Sequence, residues 1–486
     1  MAKPLALLIN LSFETGTFPS ALKQSKVIPL FKKGKKTDKN NYRPISLTSV
    51  FSKLFERIFL SRLLSHIELH KIISPGQFGF QKGKSTILAL LEATDFILNQ
   101  IENQSFTTGT FIDLTKAFDC VNHKLLLEKL DRYGIRGNAL NWIKTFLSER
   151  TQYVELVNLE TNTPQQSETI TNSCGVPQGS VLGPILYLLY VNSILEKEKE
   201  NVKTIMFADD TTILISGKNR IQTEITANVT LNSVMQDFAN HNLLLNTGKT
   251  NLIHFHTSRN TDTSLFPTVV LDNTVLDEVS FTNFLGVRVD DILSYKPHIE
   301  ELTFKLNKGL YVLRRISNSC NLDSALNVYH SLFISHISYS IILWGSNPSL
   351  LQDIFKIQKR AIRFLLNLPW LASCKEHFIS MNLLSVPCIY IQKTLEYIKK
   401  IENTLPQVGD THNYQTRNRH AIAHTQHRTT AFEHNIKYQG TKLIRKLPVE
   451  IASINNQRVF KKKLTQFLTE KCFYNVNEFL QNDWAN

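Results

Sequence analysis

The stretch 202–216, VKTIMFADDTTILIS, carries two adjacent carboxylates, Asp209 and Asp210, between two β-prone runs. Its flanks are rich in β-branched and aromatic residues, so the spacing predicts a hairpin with the two aspartates at its tip. An isolated Asp-Asp turn is usually only a solvated tip, because Asp favours turns for backbone reasons. Two other segments change that reading. Phe111-Ile112-Asp113-Leu114-Thr115-Lys116-Ala117-Phe118-Asp119 sets a carboxylate where the strand predicted for 106–114 ends. Gly175-Val176-Pro177-Gln178-Gly179-Ser180 is a tight turn opening the apolar helix predicted for 183–194. Aspartates gathered on strand ends repel each other, and a pair of Mg²⁺ ions relieves that repulsion. Mg²⁺ takes one or two carboxylates plus substrate phosphates, and two ions stabilise both the attacking and leaving oxygens of phosphoryl transfer. Singly, Asp113 is equally a helix N-cap and Pro177-Gln178-Gly179 a plain turn; the signal lies in their order and spacing.

Composition agrees with a nucleic-acid partner. The 486 residues are 42% hydrophobic and 20% charged, a globular balance, and exceed what one core usually serves, so two or three domains or subdomains are expected. Lys and Arg number 55 against 41 Asp and Glu, a net of +14 that points to nucleic acid or an acidic membrane surface. The first 100 residues hold 15 Lys/Arg and 6 Asp/Glu, most of that excess. Six cysteines form no CxxC pair or Cys/His knuckle, which disfavours zinc and a disulfide scaffold and suits a reducing compartment. Cys174 reads as a small buried residue, and His412, His420, His424, His427 and His434 as belonging to a polar linker over 403–430.

The opening MAKPLALLINLSF has no small-residue cleavage site, and the apolar run 181–195 is broken by Gly183-Pro184, short of a ~20-residue span. No secretion signal, transmembrane segment or membrane partner is expected. Lys32-Lys33-Gly34-Lys35-Lys36 reads either as a nuclear import signal or as a solvated loop near phosphates, and nucleus and cytoplasm are the expected compartments. Apolar periodicity further predicts helices over 45–70, 86–101, 125–133, 140–150, 297–316, 323–343 and 350–367, and strands over 153–159, 251–256 and 284–289.

FIDLTKAFD (111–119), GVPQGSVLGPILYLLYVN (175–192) and FADD (207–210) together resemble the palm motifs of reverse transcriptases of LINE-type, non-LTR retrotransposons, Jockey-like and RTE-like elements above all. The resemblance runs from about residue 20 to 480. It takes in finger motifs (26–58, and GQFGFQKGKST at 76–86), the lysine-bearing LLLNTGKTNLIHF (243–255) and the primer-grip-like FLGVRVD (284–290). Thumb-like SHISYSIILWG and KIQKRAIR follow, then a tail like that of insect elements.

The resemblance implies an α+β, right-hand polymerase fold with an antiparallel palm sheet and a helical C-terminal region. Fingers would span 1–105, N-terminally shortened. The palm with finger elements would span 106–290, the thumb and connection 291–402, and a basic C-terminal region 403–486. The implied activity is RNA-directed DNA synthesis from dNTPs on an RNA template and a DNA primer or target, with two Mg²⁺ ions that Mn²⁺ can replace. Asp113, Asp209 and Asp210 would be the catalytic metal ligands. Phe118 would be a steric gate beneath the sugar, and Gln178, Arg43 and Lys249 would meet the nucleotide, Lys249 as a proton donor to pyrophosphate. Lys32, Lys33, Lys82 and Lys84 would neutralise phosphates, and Leu285 and Gly286 would position the primer.

Two departures stand out. Asn192-Ser193 replaces the usual Asn-Asp, and nothing resembles an endonuclease or RNase H, so nuclease function would come from elsewhere. The alternative is a catalytically inactive, truncated element-derived nucleic-acid-binding protein. An intron-type maturase is disfavoured by FADD in place of Tyr-Ala-Asp-Asp.

Overall fold

The computed structural model describes residues 2–158, 160–197, 201–257, 269–271, 274–411, 422–423 and 426–482. After α1 (Ala2–Glu14), strands β1 (Gln24–Phe31) and β2 (Tyr42–Leu47) pair antiparallel, and their connection exposes Lys32, Lys33, Lys35 and Lys36. The helix expected from residue 45 starts later, as α2 (Val50–Leu69), capped by Ser49. Strand pairing takes the first residues of the run: Ile45, Ser46 and Leu47 stand opposite Ile28, Val27 and Lys26 of β1. α3 (Thr86–Glu102) begins at Ser85, whose Oγ accepts from Leu88 N at 3.3 Å.

β3 (Phe106–Ile112) and the short β4 (Leu114–Thr115) lead through α4 (His123–Arg132) and α5 (Gly137–Leu147) to β5 (Arg150–Val157), β6 (Pro164–Gln166) and β7 (Ile170–Asn172). β5 runs parallel to β1 and antiparallel to β6 and β7, completing a five-stranded sheet. α6 (Gly183–Val191) is buried at every residue but Pro184, which its all-round apolar sequence requires. Among the described residues no helix is long and apolar enough to cross a membrane.

β8 (Val202–Phe207), β9 (Asp210–Gly217), α7 (Arg220–Asn240), β10 (Leu244–Leu245) and β11 (Asn251–Phe255) complete a four-stranded antiparallel sheet in the order β11-β3-β9-β8. Alternation along its strands feeds two cores. Ile112, Met206, Ile213 and Ile215 join the core built with α2 and α4–α7. Phe111, Ile205, Leu214 and Ile253 join a second core that runs from α3 to Phe479 near the C-terminal end.

The run 284–289, expected as one strand, is a hairpin. After the short β12 (Val270–Leu271) and β13 (Thr274–Val275), β14 (Phe281–Phe284) and β15 (Val287–Asp290) flank Leu285 and Gly286, both at positive φ as a tight two-residue turn demands. α8 (Lys296–Ser319) follows. The single helix expected over 323–343 is broken. Leu322–Tyr329 continues through a π turn and Ser335–Ser338, then stops at Ser340, φ 58, before Ile341–Trp344. The cause is tertiary: the Tyr339 hydroxyl donates to Leu285 O, and Ser340 Oγ pairs with His298 Nε2 at 3.2 Å.

The C-terminal region docks on α3. Thr429 Oγ1 donates to Glu102 Oε2 at 2.6 Å, and Lys437 Nζ lies 2.8 Å from Asp95 Oδ2. Of the linker histidines, His412, His420 and His424 lie outside the described residues.

Candidate active site

Strand register builds the site. Ile112 pairs with Thr211 and Phe207 with Asp210, so Asp113, one residue past β3, comes to the same sheet end as the tip of the β8–β9 hairpin. That tip is two residues long, and its first, Ala208, has φ 59. Leu245 pairs with Leu114, which carries the turn Thr247–Lys249 to the same end and sets Lys249 Nζ 3.2 Å from Asp113 Oδ2.

The carboxylates feel one another. Burial pushes the Asp210 carboxyl up to about 6, with the charges of Asp209 and Asp113 adding to the effect. Asp209 moves up for the same first reason, and Asp113 adds to it. Arg43 and Lys32 oppose both shifts, so their cations face this cluster.

The remaining predicted residues divide. The chain runs from Asp113 through β4 and Lys116, φ 49, to the 3₁₀ turn Ala117–Cys120, which carries Phe118. Its ring stacks on Tyr187 with centroids 4.4 Å apart and meets Phe80 edge-on at 6.4 Å. Tyr187 is fully buried, and the Asp209 and Asp210 charges join burial in raising its hydroxyl, so Phe118 packs on a side chain that feels the carboxylate charges. Gln178 Nε2 donates to Asp119 Oδ1 at 2.8 Å.

Lys33 and Lys82 are exposed, whereas Lys84 turns inward. Its ammonium donates to Pro75 O at 2.5 Å and Gln77 O at 2.7 Å, so it braces its own loop rather than facing solvent. Leu285 and Gly286 sit at a separate hairpin, joined to β3 through the Phe284–Phe111 ring contact at 5.4 Å. Cys174 is exposed, against expectation, because it lies in the bend outside the chain reversal while Val176 takes the buried place. Ser193, at the departure from Asn-Asp, accepts from Lys129 Nζ at 2.7 Å.

Two residues beyond those predictions organise the site. Glu56, fully buried on α2, accepts from Val181 N at 2.6 Å and Leu182 N at 3.1 Å, satisfying the start of α6. Ser46 N donates to Gln178 O at 2.7 Å, and a Cβ on Gly179 (φ +126) would lie 2.5 Å from Ser46 O, so only glycine lets the turn approach β2. Glu56 was traceable as an acid on the apolar face of α2, among Phe55, Phe59 and Leu63. The second, Gln77, accepts through Oε1 from Ala208 N at 3.0 Å, and no periodicity announces it.

Carboxylates brought to one sheet end, with Asp113 raising the proton affinity of Asp209 and Asp210, are a hard, all-oxygen donor set, which suits Mg²⁺. Among the described residues no three His, Cys, Asp or Glu side chains form a ready-made metal cage. Mg²⁺ sites in phosphoryl transfer depend on few carboxylates and on substrate phosphates.

An antiparallel sheet with helices packed on it, and three aspartates gathered at one end of its central strands, define a right-hand nucleic-acid polymerase palm. The chain belongs to the reverse transcriptase (RNA-dependent DNA polymerase) family, whose model matches residues 32–289. It is 29% identical over 377 residues to the RNA-directed DNA polymerase from mobile element jockey of Drosophila melanogaster, covering 75% of this chain and 40% of that protein. It is 28% identical over 384 residues to the probable RNA-directed DNA polymerase from transposon BS of the same fly, covering 75% and 41%. The chain thus spans about two fifths of the length of these curated relatives. Among solved structures, apo telomerase from Candida tropicalis aligns with 83% of this chain and 72% of its own at TM-score 0.39 and 11% identity.

Proposed function

We propose that this chain is the polymerase portion of a non-LTR retrotransposon protein, extending a primer 3′-hydroxyl along an RNA template with dNTPs. The observation that carries the reading is the meeting of Asp113 with Asp209 and Asp210 at paired strand ends, where the charge of Asp113 raises the proton affinity of both hairpin carboxylates. Asp113 and Asp209 would hold two Mg²⁺ ions, with Asp210 the third acidic member and Mn²⁺ a substitute. When bound, such ions stabilise the attacking and departing oxygens.

The chain's own groups supply the rest. Lys32 and Arg43 face the carboxylates and offset triphosphate charge, and Lys249 delivers a proton to the departing pyrophosphate. Phe118 lies beneath the sugar, and Gln178, oriented by Asp119, meets the nucleotide or template. Lys33 and Lys82 meet template phosphates, Lys84 braces the loop that carries Lys82, and Leu285 and Gly286 steady the primer. Exposed Phe304 and Tyr311 on α8, each under a cation (Lys308 at 4.2 Å, Arg315 at 5.1 Å), supply further basic and aromatic surface for nucleic acid. Fingers over 1–105, palm over 106–290, thumb and connection over 291–402 and a basic region over 403–486 accommodate these roles. The element's nicking activity would come from another polypeptide segment, and the work would be done in nucleus and cytoplasm.

The test is incorporation of dTTP on poly(rA) with an oligo(dT) primer and Mg²⁺. Asp209→Asn is expected to lower kcat at least about a thousandfold, ~4 kcal/mol of transition-state stabilisation, with RNA affinity within about twofold. Near-normal synthesis by that variant would remove the two-metal reading.

A further inference from the structure

Gln77 lies in a finger loop, 131 residues from the catalytic hairpin in sequence, yet is only 1% exposed. The loop runs beside β8 at the open edge of the central sheet. Met206 N donates to Gly76 O at 2.9 Å, and Phe78 N donates to Met206 O at 2.7 Å. Past Met206 this ladder ends, just where the chain must reverse. There the Gln77 side chain takes over: its Oε1 accepts from Gly79 N at 2.8 Å and from Ala208 N at 3.0 Å. Two backbone donors on one atom settle which end of the amide is oxygen.

We propose that Gln77 is a positioning residue, which holds Ala208 in its left-handed conformation and thereby fixes the direction of the Asp209 and Asp210 carboxylates. The assignment rests on the polymerase reading for its consequence in catalysis, but not for its geometry.

Three observations carry it. Ala208 has φ 59 at the first tip position of a two-residue hairpin, where glycine is favoured because a Cβ is disfavoured at positive φ. An alanine there stays put only when something outside the turn over-determines it. The N–H that Gln77 receives belongs to that same residue, so the hydrogen bond acts on the strained unit itself.

Second, the finger loop approaches to contact. A Cβ on Gly79 would lie 2.5 Å from Ala208 N, so glycine at 79 lets the loop close over the tip. Third, the loop is itself braced. Lys84 Nζ donates to Gln77 O at 2.7 Å and Pro75 O at 2.5 Å, and Gln81 Nε2 also donates to Gln77 O. A rigid loop, one acceptor and one strained alanine make the finger loop and the catalytic tip a single mechanical unit.

Side-chain alternatives show why the position calls for glutamine. Met has its length but no such acceptor. Asn withdraws the amide by one methylene. Glu accepts equally well but adds a carboxylate beside three others.

The test compares the full-length protein with Gln77→Met and with the double variant Gln77→Met/Ala208→Gly. In metal-free protein, amide exchange in a peptide covering 205–210 is expected to quicken at least tenfold in Gln77→Met, while β3 and β11 keep their protection. In the poly(rA)/oligo(dT) assay the same variant is expected to lose at least tenfold in kcat, with KM for dTTP and affinity for primer–template within twofold. Adding Ala208→Gly, which holds positive φ without a Cβ, is expected to recover at least threefold of that kcat.

Unchanged exchange at the tip, exchange quickened equally across the sheet, or no recovery with glycine would each overturn the assignment. If Gln77→Met does not fold, Gln77→Asn takes its place, with the same changes expected at the tip. The exchange measurement needs no metal or substrate. A wild-type protein that makes no DNA, or an Asp209→Asn variant as active as wild type, would therefore overturn the polymerase reading, while exchange at the tip still decides the role of Gln77.

Discussion

Lys249 Nζ lies 3.2 Å from Asp113 Oδ2 across 136 residues of sequence, so in the metal-free protein an internal cation rests on the carboxylate proposed to hold metal. Both side chains are substantially exposed, and an exposed pair of this kind contributes at most about 1 kcal/mol to stability. Its significance therefore lies in the reaction. On the proposed reading, a lysine on Asp113 would compete with divalent cations for that oxygen and would be the proton donor to pyrophosphate.

Lys249→Met should move two quantities in opposite directions. The Mg²⁺ concentration for half-maximal activity should fall, because Asp113 no longer shares its charge. kcat should fall at least about tenfold, because general-acid help to pyrophosphate is gone. Metal titrations of single-nucleotide incorporation read both. A rise in the Mg²⁺ requirement, or an unchanged kcat, would remove Lys249 from the chemistry.

Asp210 should trade stability for function. Its folded-state carboxyl titrates at about 6, against an ordinary value near 3.8, because burial and the neighbouring aspartates disfavour its charge. A raised acid binds its proton more tightly folded than unfolded, so stability is greatest at low pH and falls as pH rises from about 4 through 6. Asp210 as a whole residue is nonetheless solvent-exposed at the mouth of the hairpin, so screening holds the loss above that range to about 1 kcal/mol or less. Asp210→Asn does not titrate. In EDTA at pH 7.5 it should melt above wild type, and the difference should shrink towards pH 4. A gap independent of pH would show that the charge at 210 carries no folding cost.

Much of this site was legible in the sequence because its signals are local. The FADD hairpin follows from β-prone flanks around two aspartates, and α6 from a run of apolar residues after a proline-glycine turn. Asp113 falls where its strand stops. What escaped depends on partners distant in sequence. Gln77 and Glu56 bond to backbone N–H groups of Ala208, Val181 and Leu182, and a backbone donor has no letter of its own. Tyr339 breaks a helix whose local pattern is continuous, because its hydroxyl is held by Leu285. Leu285-Gly286 reads as strand interior until the pairing of Phe284 with Val287 shows the turn.

Neutralising Lys32, Lys33, Lys35 and Lys36 should weaken RNA binding and flatten its salt dependence. All four are exposed on the β1–β2 connection, and Lys32 faces the carboxylate cluster. Each phosphate contact to a single strand contributes about 0.7 to the slope of log K against log salt, so losing four contacts should reduce the slope by roughly 3. Affinity measured from 50 to 300 mM salt reads this, and an unchanged slope would place these lysines away from phosphate.

Phe118 has two demands on it, and the structure makes both measurable. Its ring stacks on buried Tyr187 at 4.4 Å and 22°, so part of its role is packing. Such a stack contributes about 0.5–1.5 kcal/mol beyond the area it buries. On the proposed reading the ring also lies beneath the sugar, where a DNA-making enzyme must reject the extra 2′-hydroxyl of a ribonucleotide. A clash does this better than a lost hydrogen bond. Phe118→Val should therefore cost about 1–3 kcal/mol of folding stability, less than truncation of a fully buried aromatic, because the ring is only half-buried. If the ring is the gate, dTTP incorporation stays within about tenfold, 1.4 kcal/mol, while ribonucleotide incorporation rises. Phe118→Tyr keeps the ring and should keep both stability and rejection. Parallel loss of deoxy- and ribonucleotide use by the valine variant, in step with its melting temperature, would leave Phe118 as packing under the catalytic tip and the three aspartates in place.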